Sequence, residues 1–250
     1  MKLVATNTGW NTITAYALDS KKKVVWRGRQ KIYDELVEGE IFDVDATKEW
    51  VFGRTTFVSG NIVHHEVNIP ALGLKPLPVN RISQRNKEYE MEQVIPGTTK
   101  DSLYDPICEA MDRKAEGDSG AAYEILLKVL AADLRCIDAH VHLGHLRFQI
   151  LKDPMMIHLA LKNYQVGVAM GEFFLGDHFH GLLNWGWVDN RPYLRALQGE
   201  CLALWALDRF EESETVANKL LTLCPDDNLG IRFVRTNVRA RDKYIDHFYD

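Results

Sequence analysis

The sequence predicts a segregated α+β fold: a small N-terminal β-barrel-like domain followed by a C-terminal stack of α-α helical hairpins. Three observations carry this. Short β-type runs broken by turn residues fill the first ~80 residues, a stretch mixing prolines with charge follows, and beyond it apolar residues recur at spacings of three and four among helix formers. These give a β domain over 1–80, a linker over 81–104 and a helical region over 105–250.

In the β domain the runs cover residues 12–18, 23–27, 40–44, 49–52, 55–58 and 61–67. Asp19-Ser20, Glu38-Gly39, Phe52-Gly53 and Ser59-Gly60 supply the turns between them. A short series of antiparallel strands removes its sticky edges by closing on itself, which favours a small barrel. From Leu72 the chain reads LGLKPLPVNRISQRNKEYEMEQVIPGTTKDS, the composition of a connector running over a surface.

In the helical region two windows align at a helix-turn-helix period of about 34 residues. In GDSGAAYEILLKVLAADLRCIDAHVHLG, Gly117 opens a turn, Ala122, Leu126 and Val129 take packing slots, and Ala139, His140, Leu143 and Gly144 begin the next unit. In ALQGECLALWALDRFEESETVANKLLTLCPDDN, Cys201 takes a small-residue slot, Phe210 follows the turn, and Ser213, Ala217, Leu220 and Pro225 take the later ones. Small residues belong where two helices cross closely. Leu134 stands where proline usually ends a unit, and the middle unit needs about four extra residues around 151–156 to align Ala160, Tyr164 and Gly167. The hairpins are thus of tetratricopeptide type, with about three units. A last helix follows Pro225-Asp226-Asp227-Asn228, whose polar side chains can cap its first turn. Ile231, Val234, Val238 and Ile245 form its apolar stripe, and it caps the stack.

The string DNRPYLRALQGECLALWALDRFEESETVANKLLTLCPDDNLGIRF, with RCIDAHVHLGHL, resembles bacterial proteins that carry a degenerate tetratricopeptide region and end a repeat with an NPxDNQG-like turn. VEGEIFDVDATKEWVFGRTTFVSGNI and VNIPALGLKPLPV resemble the front part of the same proteins, so the likeness spans most of the chain. Cys224 stands in place of the Asn before Pro225, and Leu229 in place of the Gln. The resemblance implies organisation and no particular chemistry.

A net charge of −5 and a pI of about 6.0 provide no overall field to draw in nucleic acid or an anionic membrane. The N-terminus lacks a basic segment leading into an apolar one, and no 18 apolar residues run together, so a cytoplasmic protein is expected. Cys108, Cys136, Cys201 and Cys224 form no CxxC pair, which reads as free thiols in a reducing compartment.

Helical stacks of this kind bind peptides on the inner faces of their first helices. The repeat register puts Met111, Lys114, Val141, His145, Phe148, Gln149, Arg195, Gln198, Leu202 and Trp205 on that face. Between the second and third units an aromatic insertion over 172–192 carries Phe173, Phe174, Phe179, Trp185 and Trp187, which either line a binding edge or plug the stack. Asp177, His178 and His180, and His140, His142 and His145, raise a metal site, but no HExxH motif accompanies them. His64 and His65, followed by Glu66, alternate faces on a strand and are poorly placed to chelate together. With no GxSxG elbow or phosphate-binding loop, no catalytic residue, cofactor or metal is assigned. Lys21, Lys22 and Lys23 beside Trp26, Arg27 and Arg29 suggest a single-strand-binding groove on the barrel. Arg232, Arg235, Arg239 and Lys243 form a basic stripe that suits a solvated face or pairing with Glu211, Glu212 and Glu214. The expected function is a non-enzymatic adaptor binding a protein or peptide, with single-stranded nucleic acid on the β domain as the alternative partner and no membrane.

Overall fold

The computed structural model describes residues 1–9, 12–28, 36–83, 85–99, 102–149 and 153–245. Five strands, β1 (Lys2–Thr8), β2 (Thr12–Ala17), β3 (Lys23–Arg27), β4 (Ile41–Phe52) and β5 (Thr55–Glu66), close into a barrel in the order β1-β2-β3-β5-β4. Adjacent strands are antiparallel except β3 and β5, which run parallel. Leu3, Ile13, Ala15, Val24, Trp26, Phe42, Val44 and Val58 fill the interior, and the Trp26 indole donates from Nε1 to the Gly60 carbonyl at 3.2 Å. At one end Glu38 closes the barrel, its Oε1 accepting from Thr8 N at 2.9 Å and Thr8 Oγ1 at 2.7 Å.

Two corrections to the sequence reading have physical causes. β1 escapes a search for alternation because Leu3, Val4, Ala5 and Thr6 are all buried: its inner face meets the barrel core and α2 (Ser119–Ala132) packs on the strand. The expected pairs 40–44 with 49–52, and 55–58 with 61–67, are each one strand. Register shifts between Asp43 and Val44 and between Ala46 and Lys48 interrupt the period of two and mimic turns.

Packing divides the chain into two units, Met1–Lys75 with Val94–Leu143, and Pro76–Gln93 with Gly144–Asp250. The stretch expected as a linker therefore holds structure. β6 (Val79–Ser83) and β7 (Glu88–Met91) form a hairpin in the second unit, where Tyr89 N donates to Leu182 O and Leu182 N to Lys87 O, each at 2.9 Å.

The first unit also contains α1 (Pro106–Ala115), α2 and the start of α3 (Ile137–Phe148). The second contains the rest of α3, then α4 (Pro154–Leu175), α5 (Arg191–Ala206), α6 (Phe210–Leu223) and α7 (Ile231–Ala240). α1 packs on α2, and α5 packs on both α4 and α6, with α7 on α6. Aspartates start these helices where the sequence offers them. Asp105 accepts from Ile107 N, Asp118 from Ala121 N and Asp153 from Met155 N, satisfying amides that have no partner inside the helix. Asp227 does the same for α7, accepting from Ile231 N at 2.7 Å and Arg232 N at 3.0 Å.

Glycines let the helices of the second unit approach. A Cβ at Gly144 or at Gly199 would run into the Tyr164 ring, so the fully buried tyrosine is clasped between α3 and α5. α7 buries Ile231, Val234 and Val238, but ends at Ala240, which leaves Ile245 56% exposed and outside the stripe. Among the described residues no helix is long and apolar enough to cross a membrane.

Candidate functional site

Side chains alternate across a strand, so every barrel strand has one face for the core and one for something else. On β3, Val24 and Trp26 point inward while Lys23, Val25 and Arg27 point outward. Cross-strand pairing extends that outward row over four strands. Thr14, Val25, Phe57 and Trp50 lie side by side on β2, β3, β5 and β4, flanked by Thr12 and Arg27 with Ser59 and Lys48 on one side, and by Tyr16 and Lys23 with Thr55 and Phe52 on the other.

None of these positions is acidic. The Trp50 and Phe57 rings stack with centroids 5.5 Å apart and planes 13° apart. The Arg27 guanidinium sits 4.6 Å from the Phe57 centroid and the Lys48 ammonium 5.5 Å from that of Trp50. The result is a four-membered ladder of cation, ring, ring and cation running across the sheet, which holds its cations in exposed positions. At the tip of the β4–β5 hairpin Phe52 is 79% exposed, beside exposed Arg54.

The sequence reading found part of this face and misassigned one residue. Lys23 and Arg27 belong to it. Trp26, expected to stack on a ligand, is fully buried in the barrel core. Lys22 is exposed, Lys21 donates to the Leu72 carbonyl at 2.9 Å, and Arg29 lies outside the described residues. Trp50, Phe52 and Phe57 were missed, although Lys48-x-Trp50-x-Phe52 carries the period of two that would have put them on one face.

The residues expected to form a helical groove meet a different fate. Met111, Lys114 and Val141 fall in the first unit, where Val141 is fully buried and the other two are half-buried, and burial lowers the pKa of Lys114. In the second unit Phe148, Leu202 and Trp205 are buried, Gln149 is exposed, and His145 meets the Tyr164 ring edge-on at 5.7 Å. Arg195 Nε donates to Arg191 O at 3.4 Å, and Gln198 Nε2 to Leu229 O at 3.2 Å. The inner surface there is occupied by the chain itself. Tyr244, beyond the end of α7, packs its ring 5.6 Å from Phe148 and 5.1 Å from Trp205, while Trp205 Nε1 donates to Asp242 O at 2.7 Å. At Phe148 and Trp205 the expected groove is filled by the C-terminal segment.

The insertion is shorter than the expected 172–192. α4 extends through Leu175, taking in Phe173 and Phe174, and α5 begins at Arg191. What remains is pinned down: Phe179 packs edge-on against Tyr89 at 5.0 Å, the Arg191 guanidinium lies 5.2 Å over Trp185, and Asn190 donates to Tyr89 O and Asn184 O while accepting from Met91 N.

The histidines separate into individual roles. His140 is fully buried with Nε2 bonded to Leu134 O at 2.9 Å, and burial holds its pKa down at about 4. His142 Nε2 lies 3.6 Å from the Asp138 carboxylate, and His65 Nδ1 lies 3.1 Å from that of Glu40. Among the described residues no three His, Cys, Asp or Glu side chains are grouped to hold a metal ion. The basic stripe of α7 is engaged with acids and amides: Arg239 bonds Glu214, Arg235 bonds Asn218 and Arg232 meets Asp227. Cys136 and Cys201 are buried, and burial raises both thiols to about 12, far from a reactive range.

No family model, curated protein or solved structure matches the chain.

Proposed function

We propose that this protein binds single-stranded nucleic acid on the outer face of its barrel. The observation that carries the reading is the Arg27–Phe57–Trp50–Lys48 ladder, with no acidic side chain among the outward positions of β2, β3 and the β4–β5 hairpin end that surround it. Single strands are bound by rings that stack on bases and cations that track phosphates. Five-stranded Greek-key barrels that bind oligonucleotides use strands 2 and 3 and the loop between strands 4 and 5. Here the same elements supply Tyr16, Lys23 and Arg27, and Phe52 and Arg54. Because the chain as a whole is acidic, attraction would be confined to this face.

Peptide binding by the helices is the weaker reading, since Tyr244 already occupies the surface at Phe148 and Trp205. We read α1–α2 and α5–α6, each a pair of packed helices joined by a short turn, as degenerate tetratricopeptide-like hairpins, and assign them a scaffolding part. A reducing, cytoplasmic setting accords with four free thiols.

The test is titration of the full chain with labelled single-stranded DNA and RNA at two salt concentrations. Four phosphate contacts, from Lys23, Arg27, Lys48 and Arg54, give an affinity that falls about 50-fold for a fourfold rise in salt. Absence of salt-sensitive binding, or binding that survives Trp50→Ala with Phe57→Ala, would sink the proposal.

A further inference from the structure

The barrel face continues into a cavity of about 460 Å³, within the size range of small-molecule sites. Its floor is the outward surface of β1 and β2, with Val4, Thr6 and Tyr16. Its walls are the turn at Lys21, the segment ending at Lys75, and the C-terminal end of α2 around Ala131. All of these residues belong to the first unit. Tyr16 joins cavity and face, because it lines the one and pairs across β2–β3 with Lys23 of the other.

The lining is charged in one sense. Arg135 and Asp133 neutralise each other, with Nε and Nη2 of the arginine on the carboxylate at 3.0 and 2.6 Å and Nη1 on the Lys75 carbonyl at 3.3 Å. That leaves the positive charges of Lys21 and Lys75. Lys21 spends one ammonium hydrogen on the Leu72 carbonyl and keeps two for a ligand. A lining rich in Leu72, Leu74, Leu130 and Leu134, with one phenol ring and two cations, suits a planar body bearing an anionic group.

We infer that this cavity receives the terminal nucleotide of a strand lying on the barrel face, with its phosphate at Lys21 and Lys75 and its base against Tyr16 and Val4. The inference rests on the nucleic-acid reading of that face and narrows its substrate class to single strands with a free, phosphorylated end.

The test compares, on the full chain, linear single strands phosphorylated at the 5′ end, phosphorylated at the 3′ end or unphosphorylated, and a circular strand of the same sequence. One phosphorylated form should bind about tenfold more tightly than the circle, the size of one charge-assisted hydrogen bond. Lys21→Met removes a cation at nearly constant volume, and Ala131→Trp fills the cavity from an exposed position. Each should abolish the preference while leaving affinity for the circle unchanged. Equal binding of circle and phosphorylated strand, with affinity still dependent on Trp50 and Phe57, overturns the inference and leaves the face intact. A preference that persists in both variants also overturns it. Failure to bind any strand overturns both readings.

Discussion

On the barrel, Trp50 and Phe57 lie half-buried beneath two exposed cations, whereas in the second unit Phe148 and Trp205 lie buried against the Tyr244 ring of the chain's own C-terminal segment. Both sets are aromatic, but the repeat register points only to Phe148 and Trp205 as partner-binding residues. The difference lies in what the backbone leaves uncovered. A strand in a closed barrel satisfies its core with one face and has no further apolar demand on the other. A helix among helices is approached from several sides, and α5 has α4 and α6 on it and the C-terminal segment besides. An aromatic residue on the outward strand face therefore has freedom to serve a ligand, while one inside the helical unit is held by stability.

The sharpest way to break this contrast is to truncate the helical aromatic. Phe148→Ala should cost about 3–5 kcal/mol of stability, as loss of a fully buried ring does, without changing affinity for single strands beyond the fraction unfolded. Denaturant melts paired with titration at a temperature where the variant stays folded would check it; a large loss of affinity in the folded protein would make the helices a binding surface.

Glu200 on α5 provides a second probe of the helical interior. Burial raises its pKa to about 7, Glu172 adds to the rise, and the Gln165 side chain opposes it. A carboxyl whose folded pKa lies above its unfolded value stabilises the fold fully below about 4.5, and that contribution is lost as pH rises through about 7. Glu200→Gln should thus raise stability at pH 8 by up to about 3 kcal/mol and flatten the profile between those limits. His140 has the opposite sign: its depressed pKa, about 4, gives stability present above about 6.5 and lost as pH falls through about 4. Melting curves across pH for the wild type and Glu200→Gln decide this, and an unchanged profile in the variant would refute the assignment.

On the barrel the balance reverses. Trp50→Ala or Phe57→Ala should weaken strand binding by about 1–3 kcal/mol each, or roughly tenfold to a hundredfold, with a smaller effect on stability. Calorimetric titration beside thermal melts measures both, and a variant that unfolds while its folded fraction binds normally would reduce the ladder to a structural device. The smallest effect is expected from Tyr244→Ala. Its two edge-on ring contacts are worth about 0.5–1.5 kcal/mol each, so the variant should fold and show increased solvent quenching of Trp205 fluorescence.

How much of this was legible in the sequence depended on where periodicity survives. The barrel was readable from β2 and β3, whose Thr12 to Ala17 and Lys23 to Arg27 runs alternate cleanly. β1 was not, because burial on both sides removes alternation, and β4 and β5 were cut in two by their register shifts. Helix starts at Asp105, Asp118, Asp153 and Asp227 follow local capping chemistry, so they are written in the sequence. The β6–β7 hairpin is held by residues about a hundred positions away, such as Asn190 on Met91 N, which no local pattern carries. Trp26 sits among lysines and arginines that suggest a surface, but parity decides its place: one residue from Arg27, it points the other way, into the core. The filling of the helical surface by Tyr244 was likewise invisible, since an irregular segment has no period to announce where it docks.

The most direct test of the central claim is photochemical crosslinking of a single strand to the full chain, followed by mapping of the modified peptides. The account predicts adducts at Trp50 and Phe57 and within the Lys23–Arg27 strand. Adducts confined to peptides of the helices, or none at a strand concentration that saturates binding, would contradict it.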